Sequence, residues 1–225
     1  MRVLKKYKRK HMRKLSRKPL IIILGVAIFI VLFTFGSIVI LFNVYGVYFP
    51  KNNYNNSPVN YQIEWNNDLN LKQSHNTCGA YSSMAYIYLK NKQIKNPEEI
   101  NSQITEKYGD NYIFPWGIIN YCKKQGVNAK IYWFGFRNNS FKIKWIENRI
   151  STNEPVILIV GNSKSTHYIT IMGYDERDFM MYDSNSKNDK NGILTGNSSM
   201  SKTKLINWWN TAKFYRIPIN GCISK

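Results

Sequence analysis

The chain is poor in cysteine, histidine and acid. It has three Cys and three His in 225 residues. Three cysteines do not make a disulfide framework. Neither residue type recurs at the paired spacing of a zinc site, so no metal and no other cofactor is expected. A phosphate loop is missing as well. The stretch GNSKST at 161–166 lacks the first glycine and the Gly-Lys-Ser/Thr ending. There is no internal repeat, which excludes solenoids and propellers. Acids number 13 against 32 Lys and Arg, and none precedes Glu64.

What is present is unevenly placed. Ten of the Lys and Arg lie in residues 1–18, MRVLKKYKRKHMRKLSRK. On a soluble chain such a tail suits nucleic acid as well as a membrane surface. Here it abuts an uncharged run of 23 residues from Leu20 to Phe42. At about 1.5 Å per residue, a helix of that length crosses a hydrocarbon core of roughly 30 Å. The run is longer than a signal-peptide core, and no small-x-small cleavage site follows it. The expectation is a single-pass signal-anchor in the cell membrane, with residues 1–19 cytoplasmic and the C-terminal domain outside. The membrane accounts for the basic tail, so no nucleic-acid partner is expected.

Residues 43–60 are rich in Asn, carry Pro50 and Pro58, and read as a linker. Residues 61–225 have the composition of one globular domain. Its first half reads as helical, over 78–90, 97–108, 115–125 and 141–150, with a short strand at 129–134. Asn96 before Pro97, and the acids that follow, form a helix start. The second half reads as strands, at 156–160, 166–174, 178–183 and 213–217, with a helix at 202–212. Helices first and antiparallel strands second make an α+β fold.

The chemistry gathers around LKQSHNTCGAYSSMAYIYL, residues 71–89. Cys78 opens a helix, where the positive end of the backbone dipole favours thiolate over thiol. Gly79 is small and leaves room for substrate. Gln73, five residues upstream, is able to donate its amide to an oxyanion. His167 begins one strand and Asp183 ends the next, so an antiparallel hairpin sets them at the same end. Cys78 is then the nucleophile, His167 the general base and Asp183 its orienting acceptor. Asn185 is an alternative orienter and His75 a competing base; His167 is preferred because His75 lies too close in sequence to the helix start. Cys122 and Cys222 are able to pair in an oxidising exterior, but two packing thiols are the simpler expectation.

Taken together, QSHNTCGAYSSMAYIYL, PVILIVGNSKSTHYITIMGYDERDFMMYDSNS and KLINWWN resemble the bacteriocin-processing cysteine peptidases and their stand-alone relatives, within the papain-like superfamily. The resemblance covers about residues 68–217. It implies a papain-like fold, peptide-bond hydrolysis through a thioester, and the roles just given to Gln73, Cys78, His167 and Asp183. Three departures stand out. The Gln-to-Cys separation is five rather than six, Thr77 precedes the Cys where an acidic residue is common, and Ser184 follows the Asp where a proline is common. The chain has no transporter spans and no nucleotide-binding motif, so the double-glycine leader substrate is not carried over. The substrate expected is a peptide or protein. Two rivals keep the same residues. One is a cell-wall peptide hydrolase or transglutaminase-like acyl transferase; the other is a non-catalytic binding domain.

Overall fold

The computed structural model describes residues 17–44, 47–51, 57–135, 137–161, 165–186, 196–214, 217–218 and 221–225. Most of the basic tail and part of the 43–60 stretch lie outside them. The chain divides into two compact units, residues 1–45 and 46–225.

In the first unit, α1 (Arg17–Val44) is one helix of 28 residues. Its described side chains, residues 22–34 and 36, are exposed apart from Gly36. Among the described residues no helix is long and apolar enough to cross a membrane.

The second unit is the expected α+β arrangement. Its helices are α2 (Cys78–Asn91), α3 (Pro97–Gln103), α4 (Pro115–Lys124), α5 (Asn139–Ser151) and α6 (Lys202–Thr211). Helix α2 is the axle. Every residue from Cys78 to Leu89 is buried, so it shows no amphipathic stripe and is packed on all sides. It ends at Lys92, whose positive φ and backbone N–H to the Tyr88 carbonyl form a left-handed cap.

Behind α2 stands an eight-stranded sheet. Its strands are β1 (Val47–Tyr48), β2 (Tyr61–Gln62), β5 (Lys130–Trp133), β6 (Val156–Gly161), β7 (Thr166–Tyr174), β8 (Asp178–Tyr182), β9 (Ser198–Ser201) and β12 (Gly221–Ser224). They run in the order β1-β5-β12-β6-β7-β8-β9, with β2 added beside β7. Among the described residues of this sheet, only the β1–β5 pair is parallel. Position 161, the last residue of β6, needs glycine. Its φ is +147°, and a Cβ there would lie 2.2 Å from the Ser165 carbonyl oxygen.

Four expectations change. The helix read over 97–108 stops at Gln103, because Ile104 is extended and the chain turns into a hairpin, β3 (Lys107–Tyr108) and β4 (Tyr112–Ile113). Gly109 and Asn111 make that turn at positive φ. The strand read over 213–217 is instead a small hairpin, β10 (Lys213–Phe214) with β11 (Ile217–Pro218). The linker stretch contains β1, which is too short to show a pattern. Strand β12 was not expected at all. Its four residues are all buried, so no alternation marks it. It lies between β5 and β6 in the middle of the sheet. Cys122 and Cys222 are free, buried packing thiols.

Candidate active site

Helix α2 brings Cys78 to the sheet by its N-terminus. Thr77 precedes it without a side-chain cap, so the first-turn N–H groups keep the positive end of the helix available. Gly79 has a different role from the one expected. A Cβ on it would meet the Ile113 Cβ at 3.0 Å and the Tyr168 ring at 3.5 Å. Its smallness admits the β3–β4 hairpin against α2 and does not leave a gap for substrate.

His167 lies at the start of β7 opposite Val160, and Asp183 directly follows β8. Residue 170 pairs with residue 182, so both chains reach the same end of the sheet. The structure brings the two side chains together, with His167 Nε2 2.7 Å from Asp183 Oδ1. This leaves Nδ1 for the Cys78 thiol, which is close enough to hydrogen-bond to the ring. Burial alone would lower the His167 pKa. The hydrogen bonds and negative charge of Asp183 and Cys78 override it and raise the value to about 9. Burial would likewise raise the Asp183 pKa. The hydrogen bond and charge of His167, with backbone hydrogen bonds at Asn185 and Ser186, hold it below the usual carboxylate range instead. Both side chains are mostly buried, with 16% and 15% exposed, so their charges act in a medium of low screening. The Trp208 ring lies tilted beside the imidazole at 6.3 Å.

The competing assignments separate by contact. His75 Nε2 pairs with Asp110 at 3.0 Å on the exposed β3–β4 turn. Asn185 meets Asp183 Oδ1 through its backbone N–H at 2.9 Å.

Gln73 is held from one side. Its backbone N–H donates to the Ser184 carbonyl at 2.9 Å. Its Oε1 accepts from the Ser184 hydroxyl at 2.7 Å. With Oε1 occupied, the amide presents its Nε2 donors elsewhere. The loop before it is pinned too, since the Tyr182 hydroxyl donates to the Leu71 carbonyl at 2.6 Å. Thus the end of β8 sets both the carboxylate and the amide.

The family model described as Peptidase_C39 like family matches residues 54–217. The chain belongs to the Peptidase_C39 like family. That family is one of cysteine peptidases.

Three solved structures resemble this C39-like chain. The peptidase domain of Streptococcus ComA, a bifunctional transporter, is 12% identical with a TM-score of 0.48, covering 68% of this chain and 93% of its own. A C39-like peptidase from Bacillus anthracis is 11% identical with a TM-score of 0.48, covering 73% and 96%. A Carica candamarcensis cysteine protease is 12% identical with a TM-score of 0.41, covering 74% and 97%. No curated protein matches the chain.

Two sets of contacts in this C39-like site, those of Ser184 and Asn197, escaped sequence reasoning. Ser184 is 1% exposed, and stands where the resemblance leads one to expect proline. Asn197, 3% exposed, clamps Asp183 by accepting from its N–H and donating to its carbonyl, both at 2.9 Å. Asn197 lies 14 residues away in sequence, and no local signal marks it. If Gln73 donates to the oxyanion of a peptide hydrolysis, Gln73→Ala is expected to lower kcat by about 10²–10³-fold, the scale of a lost oxyanion donor. Ser184→Ala leaves the Gln73 amide free to turn, so a smaller loss of about tenfold is expected. Steady-state kinetics on both variants checks this. A Gln73 variant within threefold of wild type would remove Gln73 from the oxyanion hole.

Proposed function

We propose that the chain is a membrane-anchored, extracytoplasmic cysteine peptidase acting through Cys78, His167, Asp183 and Gln73. One observation carries the reading: the buried, hydrogen-bonded His167–Asp183 pair beside Cys78 at the N-terminus of α2. Membership of the Peptidase_C39 like family supports it. The anchor rests on the uncharged run Leu20–Phe42 and the basic cluster before it.

The geometry supports a sequence of five steps. His167 Nδ1 takes the Cys78 thiol proton, while Nε2–H stays bonded to Asp183. The thiolate attacks the scissile carbonyl carbon and forms a C–S bond. The oxyanion accepts from Gln73 Nε2 and from the Cys78 backbone N–H. Collapse breaks the C–N bond, and the amine leaves with the proton from Nδ1. A water then gives its proton to Nδ1 and attacks the thioester. The C–S bond breaks, releasing the acid and restoring the thiol.

The test uses the full-length chain in detergent, incubated with a mixture of synthetic peptides and read by mass spectrometry. New peptide termini are expected with wild type and none with Cys78→Ala. Equal cleavage by both, or none by wild type between pH 5 and 9, would reject the peptidase reading. In cells, the chain is expected to stay in the membrane fraction after an alkaline carbonate wash; release into the supernatant would reject the anchor.

A further inference from the structure

The oxyanion hole proposed above draws on two segments. Gln73 lies in the loop before α2, and the Cys78 N–H belongs to the helix itself. Residues Ser74 to Thr77 separate them, and Asn76 among these takes a positive φ of +59°. A loop with such a residue keeps one shape only where its surroundings hold it. Gln73 is tied to Ser184, and His75 to Asp110 on an exposed turn. The tie at Ser74 reaches further.

Glu98 stands in the first turn of α3. Pro97 opens that turn, and the Glu98 N–H donates to the Asn96 side chain at 2.9 Å, which fixes its place. One carboxylate oxygen, Oε1, accepts twice. The Ser74 hydroxyl donates to it at 2.9 Å and the Tyr81 hydroxyl at 2.8 Å. Ser74 belongs to the loop. Tyr81 belongs to α2, three residues after Cys78, and is buried. Burial first, and then Glu98, push the Tyr81 phenol up to about 12, so it remains a donor at any working pH. Thr77 closes the loop from within, its hydroxyl donating to the Ser74 carbonyl at 3.0 Å. The Ser74 proton is then left for the carboxylate, the stronger acceptor. A single oxygen thus links the loop that carries Gln73 to the helix that carries Cys78.

We infer that Glu98 is a positioning residue of the oxyanion hole: through Ser74 and Tyr81 it sets the loop against α2, so that the Gln73 amide and the Cys78 N–H serve one oxygen. This rests on the peptidase reading, because the hole matters only when a carbonyl is attacked. A misplacement of about 1 Å costs on the order of 10²-fold. Glu98 and Ser74 are exposed, and water replaces part of a lost bond, so a smaller loss of about tenfold is expected.

The experiment uses the full-length chain and two reactions of Cys78. Peptide hydrolysis needs the hole. Alkylation by iodoacetamide does not, because the thiolate displaces iodide from a saturated carbon and no oxyanion forms. Glu98→Ala is expected to lower kcat about tenfold, with KM and the alkylation rate within twofold of wild type. Glu98→Gln keeps an acceptor oxygen and is expected to recover most of the loss. Ser74→Ala cuts only the loop side of the bridge, and a loss of about fivefold is expected. Ser74 is exposed, so this variant carries the test if Glu98→Ala fails to fold. In a Gln73→Ala background, Glu98→Ala is expected to add less than twofold, because no amide is left to aim. Wild-type kcat in either single variant, a parallel fall in alkylation, or a further tenfold loss in the Gln73→Ala background overturns the inference and leaves the peptidase reading standing. No cleavage by wild type rejects the peptidase reading, and this inference with it.

Discussion

Cys78→Ala and His167→Ala are each expected to lower kcat for peptide hydrolysis by about 10⁴–10⁶-fold, with the fold intact. The size follows from the division of labour. In the proposed reaction the sulfur supplies the bond that splits one hard step into two. There the imidazole moves the proton both ways, onto the ring when the thiol ionises and off it when the amine leaves. Neither alone does much, so the double variant is expected to be little worse than either single one. Cys78 is buried but small, and removing one sulfur at the edge of a cavity costs the core little. Thermal unfolding should therefore shift by a few degrees at most. Kinetics on the three variants, beside melting curves, checks both statements. Additive losses in the double variant would show that Cys78 and His167 do not act as a unit.

Asp183→Ala is the second large effect, with an expected loss of about 10²–10⁴-fold and a changed pH profile. In wild type the His167 pKa is raised to about 9, so the imidazolium formed with the Cys78 proton persists up to that pH. It must be protonated to release the amine, so activity falls as pH rises through that value. Burial pulls the His167 pKa down, and Asp183 is a main reason that it stands high. Without the carboxylate the burial effect gains ground, and the alkaline limb moves to lower pH. The tautomer is also freed, because Nε2 loses the 2.7 Å acceptor that keeps its proton there. A kcat/KM profile from pH 5 to 10 reads both. An alkaline limb that stays near pH 9 in the variant would show that Asp183 does not set the charge of His167.

The parts of the site were legible because each is a local signal. A Cys opening an apolar run, a His starting a β-branched strand and an Asp ending the next need only neighbours in sequence to be noticed. The hairpin register then predicts that residues 167 and 183 share one end of a sheet, and in the structure they touch. Ser184 and Asn197 were not legible. A serine and an asparagine among polar residues look like turn residues. Their contacts, with Gln73 and with the Asp183 backbone, join points 111 and 14 residues apart. Gly79 was noticed and assigned the wrong reason, since its neighbour in space is Ile113. Strand β12 was invisible because a strand buried on both faces has no alternation, and four residues carry no other signal.

By itself the sequence determined the helices of the domain and the strands β5 to β8, the candidate nucleophile, base and acceptor, and the uncharged run behind a basic tail. All of these are written in short-range composition and periodicity. Only the tertiary structure decided which nitrogen of His167 meets Asp183, how Ser184 fixes the Gln73 amide, and that an uncharged cavity opens beside Cys78. These depend on rotamers and on contacts between distant segments, which close packing selects and no local pattern encodes.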